Sequence, residues 1–233
     1  MYVLTKGMSF KDFTKELSGN RIEGELVKTG FYSLLTSFIV IGLFYSIGIL
    51  NNQLIGKYGQ VLLLIALSYA LIMLAVRQVG NYGKNMPCMS GMMVGMTIGM
   101  IAGFLPGFYI GMTNGMFLGS VFGMLVGIVF GAFNGKCCGI MGVMEGVMAG
   151  FMGGIMGAMT SVMMLNDNVN IMAWIVLLVS AIIMIGLNYM VYGEMKEIKE
   201  KRGDNWGIVW LTAGLIALTI LIVAYGPRSL LVI

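Results

Sequence analysis

Residues 91–139 read GMMVGMTIGM IAGFLPGFYI GMTNGMFLGS VFGMLVGIVF GAFNGKCCG. Glycine stands at every fourth position without a miss: Gly91, Gly95, Gly99, Gly103, Gly107, Gly111, Gly115, Gly119, Gly123, Gly127, Gly131, Gly135 and Gly139. The pattern continues as Gly142, Gly146, Gly150, Gly154 and Gly157. Residues four apart on a helix of 3.6 residues per turn lie about 40° apart, so these glycines form one slowly winding groove. Glycine costs about 1 kcal/mol relative to alanine inside a helix in water. A run this long therefore needs a packing reason. Lipid supplies one: no hydrophobic force draws helices together there, and close backbone approach drives association instead.

The surrounding composition agrees with a membrane setting. Of 233 residues, 58% are hydrophobic and 10% charged, where a soluble domain carries about 25% charged residues. Mean hydropathy is +0.92. These figures exclude a water-soluble globular domain, a disordered chain and a nucleic-acid binder, and the net charge of +4 is spread over short loops. The chain has no His, the commonest general base and transition-metal ligand. Neither a Ser/His pair, paired aspartates nor an HExxH motif is present, nor a P-loop, so an enzyme is not expected.

The expected fold is all-α: a polytopic membrane bundle of about seven helices around a core of three glycine-rich ones. A span needs about 20 apolar residues, and the apolar runs are 31–50, 58–76, 88–105, 107–133, 139–165, 171–192 and 208–225. Pro106-Gly107 is the expected break between the third and fourth. Residues 1–29 form a cytoplasmic segment in which Phe10, Phe13 and Leu17 share a face, either an interfacial helix or a frayed tail. Residues 30–79 hold spans one and two, 86–165 spans three to five, and 171–226 spans six and seven with a charged connection at 194–205. With the N-terminus in the cytoplasm, twelve Lys and Arg lie inside against Lys57 and Arg228 outside. The C-terminus is then outside. A bacterial or archaeal cell membrane is the expected location.

Residues 86–164 hold 17 of the 24 Met. Met92, Met96 and Met100 run beside the glycine groove. Met141, Met144, Met148, Met152, Met156, Met159 and Met163 step by three or four along the fifth span, roughly opposite its glycines. Two readings stay open. Met is a flexible filler that adapts to irregular surfaces, or its thioether is a soft ligand lining an ion path. The cysteines favour the second. Cys88 opens the third span, and Cys137-Cys138 occupy the turn before the fifth, on the same expected side. Met86, Cys88, Met89, Cys137, Cys138 and Met141 would meet at one cytoplasmic mouth, where thiols stay free. Lys136 and the start of the fifth helix would lower a thiol pKa. Inert or lipidated cysteines are the plainer reading. Glu145 is the one charged residue inside an expected span, either functional or snorkelling to the interface; its expected partners are Lys136, Lys84 or Asn134. Asn114 and Asn188 are candidates for inter-helix hydrogen bonds.

The glycine repeat resembles a glycine zipper, a motif of many unrelated membrane proteins. Met92-x3-Met96-x3-Met100 together with GxxxG is similar to elements of the high-affinity copper uptake transporters, three-span proteins that oligomerise around a Met-lined pore. The vicinal Cys137-Cys138 resembles that of bacterial mercury-uptake membrane proteins. Both resemblances cover a few residues and imply movement of a soft metal ion. The expected function is thus a transporter or channel for an ion such as copper(I), passed along thioethers to cytoplasmic thiols in a homo-oligomer. The alternative is a structural or auxiliary subunit whose glycine surface assembles with itself or with other membrane proteins.

Overall fold

A computed structural model describes residues 22–46, 52–82, 87–165, 167–195 and 206–226. The expected N-terminal interfacial helix and most of the connection at 194–205 lie outside them, as does Met86. Among the described residues the fold is all-helical. Its elements are α1 (Ile22–Ser46), α2 (Asn52–Tyr82), α3 (Cys88–Asn114), α4 (Met116–Gly135), a 3-10 turn (Lys136–Cys138), α5 (Gly139–Met163), α6 (Val169–Met195) and α7 (Trp206–Tyr225). Four stretches are long and apolar enough to cross a membrane: Gly59–Gly80, Cys88–Asn114, Met116–Met163 and Val169–Val191. The third of these, 48 residues, folds back on itself at the 3-10 turn into α4 and α5. Gly30–Ser46 and Trp210–Tyr225 are shorter apolar helices.

The reversal between α3 and α4 is at Gly115, not at Pro106. Gly115 has φ 108° and ψ 169°, a conformation open to glycine and strained for any side chain. Pro106 sits inside α3, fully enclosed by neighbours. Proline's fixed φ is helical, and its missing N–H leaves one carbonyl, that of Ala102, without its usual donor. Membrane helices tolerate that loss where neighbouring helices surround the site. The chain turns where φ must be positive, and a lone proline does not supply that. α3 therefore has 27 residues and α4 has 20, about 40 and 30 Å at 1.5 Å per residue.

The glycines of α3, α4 and α5 face one another, main chain against main chain. A Cβ built on Gly99, Gly103 or Gly107 would stand 2.8 Å from the carbonyl oxygen of Gly146, Gly150 or Gly154 respectively. These pairs differ by a constant 47 residues, so α3 and α5 run parallel in strict register. A Cβ on Gly95 would meet the Gly135 Cα at 2.8 Å, one on Gly99 the Gly131 Cα at 2.9 Å, and one on Gly127 the Gly103 Cα at 2.8 Å. Those pair sums are constant at 230, so α4 runs antiparallel to α3. Between α4 and α5 the main chains of Gly127 and Gly150, Gly131 and Gly146, and Gly135 and Gly142 abut. Gly115, expected within this stripe, serves the reversal instead.

α3 has a second buried face of bulky side chains. Ile98, Leu105, Phe108, Tyr109 and Ile110 are fully buried. They join one cluster with Leu64, Ile72 and Met73 of α2, Met184 of α6, and Ile216 and Ile220 of α7. Phe108 stacks on Phe104 and meets Tyr109 edge-on. α3 thus joins two differently built halves. α5 packs on α3, α4 and the 3-10 turn, and makes at most marginal contact with the described parts of α1, α2, α6 and α7.

A methyl group at Gly131 or Gly150 meets main chain that has nowhere to move, whereas one at Gly186 or Gly214 meets nothing within 4 Å. Gly131→Ala and Gly150→Ala should each lose about 1–3 kcal/mol of stability or fail to fold. Gly186→Ala and Gly214→Ala should be neutral or gain up to about 1 kcal/mol. Thermal unfolding in detergent checks this, and equal effects at the two kinds of site would contradict the packing described.

Candidate functional site: the sulfur-bearing faces

The glycine register carries the cysteines to one place. Extending the offset of 47 residues sets Gly91 of α3 opposite Cys138. A Cβ on Gly91 would lie 3.3 Å from the Cys137 Cβ and 4.0 Å from the Cys138 Cβ. Cys88, one turn earlier on α3, is joined to Cys138 as a disulfide with a Cα–Cα distance of 4.8 Å. Cys137 remains a free, half-buried thiol. The sequence leads one to expect three free thiols; two are paired, because α3 and α5 start level with each other. Gly139, at φ 70°, lets the chain leave the turn directly into α5.

Cys137 is not activated as expected. Burial raises its thiol pKa above the ordinary value. Its Sγ lies 3.5 Å from the Asn134 main-chain oxygen, to which it donates. The Lys136 charge is engaged by a ring: its Nζ stands 5.3 Å from the centre of the Phe133 ring. Two expected partners of half-exposed Glu145 are likewise engaged elsewhere, Lys136 over that ring and Asn134 through an Nδ2 hydrogen bond to the Phe130 oxygen; Lys84 lies outside the described residues. Among the described residues, no three acidic or thiol side chains converge as a ready-made metal site.

The Met side chains of α5 point away from its glycines, as the spacing predicts, but also away from the interior of the chain. Met141, Met144, Met148, Met152 and Met156 are all exposed, Met148 by 64%. Met159 and Met163 continue the line. On α3 the exposed set is Met89, Met93, Met96 and Met100, and Met92 is half-buried, so the exposed line keeps Met96 and Met100 of the expected one, has Met93 in place of Met92 and adds Met89. Gly153 and Gly157 of α5 lie against the main chain of Met100 and Phe104. The two Met lines therefore border the same α3–α5 seam. Beside that seam a half-open apolar cavity of about 300 Å³ is lined by Met100, Ile101 and Phe104 of α3 and by Met172, Val176 and Ser180, among others, of α6. Met172 is a sulfur that the sequence does not single out, because it stands alone at the start of α6, outside any stripe.

The two asparagines tie helices together. Asn114 Nδ2 donates to the Ile222 oxygen of α7 at 2.9 Å, while Asn114 Oδ1 accepts from Thr113 Oγ1 at 2.8 Å. Asn188 takes part through its main chain, whose oxygen accepts from Gln78 Nε2 of α2 at 2.9 Å.

Without reductant, a maleimide should label one thiol per chain, at Cys137, and after reduction three. Mass spectrometry of the labelled peptides reads the result; three equally reactive thiols before reduction would contradict the pairing. Compared with known protein families, with curated proteins and with solved structures, the chain matches none.

Proposed function

We propose that several copies of this chain assemble in a cell membrane into a passage for a soft metal ion, of which copper(I) is the type. In this reading all seven helices cross the bilayer, around a glycine-zipper core of α3, α4 and α5, with the N-terminus in the cytoplasm and the C-terminus outside. Two hydrogen bonds support alternating crossings. The end of α2 meets the end of α6 through Gln78 and Asn188. The end of α3 meets the end of α7 through Asn114 and Ile222. Even helices thus align with even, and odd with odd.

The observation that carries the function is the outward face of α5. Outside α3 and α5 the outward faces are mostly ordinary hydrocarbon side chains: Phe31, Leu35 and Phe38 on α1, Ile175, Leu178 and Ile182 on α6. α4 is a direct comparison, since its main chain packs against glycines just as that of α5 does. Its outward side chains include Phe117, Leu125, Val129 and Phe133. The Met face of α5 is exposed in the single chain, so it lines an ion path only where a second copy covers it; contact with lipid alone favours the filler reading. Neutral thioethers offer a soft cation successive weak ligands about 5–6 Å apart along the helix, without the cost of burying carboxylates. Passage needs sites that release as readily as they bind.

The glycine surface itself is already used by α3, α4 and α5. The Met face is what remains for a second copy, and copies meeting there enclose a thioether-lined space between them. Exchange of Met144, Met148, Met152 and Met156 together for Leu conserves volume and removes the sulfurs. Copper accumulation by cells expressing this variant should fall at least roughly tenfold, the scale of losing even the outer-shell partners of metal ligands, with thermal stability unchanged. Accumulation equal to that of the parent chain would overturn the proposal.

A further inference from the structure

In the orientation proposed above, the start of α3 and the α4–α5 turn face the cytoplasm. Small-molecule thiols keep cysteines there reduced, and disulfides that do form are transient and redox-sensing. Yet the glycine register brings Cys88 and Cys138 together as a disulfide. Cys88 is exposed and open to a reductant. Cys137 stands next to the pair, its Cβ against Gly91. Gly91 and Gly142 leave the space: a Cβ on Gly142 would stand 3.1 Å from the Cys138 Cβ.

We propose that Cys88 and Cys138 form a redox latch at this end of the bundle, whose reduction opens a three-sulfur site with Cys137 for a soft monovalent cation. The inference rests on the soft-metal reading and adds its regulation. The reductant is a monothiol of the glutathione class. Its thiolate attacks one Sγ, the S–S bond breaks, and the other cysteine leaves as thiolate, leaving a mixed disulfide. A second monothiol attacks that mixed disulfide and releases the remaining cysteine with a small-molecule disulfide. Two thiols are oxidised, and the protein gains two electrons and two protons. The freed sulfurs lose protons when a metal binds. Oxidised, the pair has no thiolate to offer, and Cys137 alone binds weakly.

The test uses the full chain in lipid nanodiscs, equilibrated anaerobically in graded ratios of reduced to oxidised glutathione. Alkylation and mass spectrometry read the Cys88–Cys138 link. After removal of the glutathione, copper(I) is titrated against a chromogenic chelator. Copper affinity should rise at least about tenfold as the linked fraction falls, along one shared redox curve. Cys88→Ser should abolish both the link and the redox dependence, whereas Cys137→Ser should keep the link and weaken only the reduced-state site. Equal copper affinity at every ratio, or no link at any ratio, overturns the latch. If that happens while the fourfold Met→Leu variant still loses copper accumulation, the passage stands without its latch. If the shared curve is seen and Met→Leu changes nothing, the latch stands and the passage fails.

Discussion

Everything in this fold depends on three helices being able to touch through their main chains. Removing Cβ lets Gly99, Gly103 and Gly107 direct their Cα–H groups at carbonyl oxygens of α5, and Gly119 and Gly123 do the same toward α3. Each such contact is worth about 0.5–1 kcal/mol. Their number, and the dispersion that comes with close approach, replace the hydrophobic force that lipid does not provide. The usual penalty of glycine comes largely from the freedom of an unfolded chain. Within a bilayer a span must already be helical to satisfy its backbone, so much of that penalty is removed before the helices meet.

α3 reconciles two packing systems that do not mix. One face presents glycines to α4 and α5, and the other presents Ile98, Leu105 and Phe108 to the larger side chains of α2, α6 and α7. The Pro106 ring sits within this surrounded helix. The α4–α5 hairpin touches the rest of the chain mainly through α3, which leaves the Met face of α5 bare.

Much of this was legible in the sequence. The glycine period announced a close-packed core, and the spacing of Met144, Met148 and Met152 placed them opposite the glycines. What covers a stripe was not legible, because periodicity defines a face relative to its own helix and says nothing of its neighbours. The break at Gly115 was hidden among identical glycines, while Pro106 offered a more familiar signal. The Cys88–Cys138 pairing needed the offset of 47 residues between α3 and α5, a number that appears only once Gly99 and Gly146 are seen facing each other. Lys136 was read as a neighbour of the thiols by position alone, when the Phe133 ring one turn earlier competes for its charge.

The glycine core is also contiguous in the chain. Its three helices are consecutive, so its partners are separated by short stretches: Gly111 meets Gly119, and Gly135 meets Gly142. Contacts of low sequence separation close quickly. During synthesis from the N-terminus, α3, α4 and α5 have everything they need to join before α6 and α7 exist. The bond from Asn114 to Ile222 then spans 108 residues and waits for the last helix to arrive. From α3 onward, synthesis thus completes the tightly packed glycine core first, and α6 and α7 are added to a surface that is already formed.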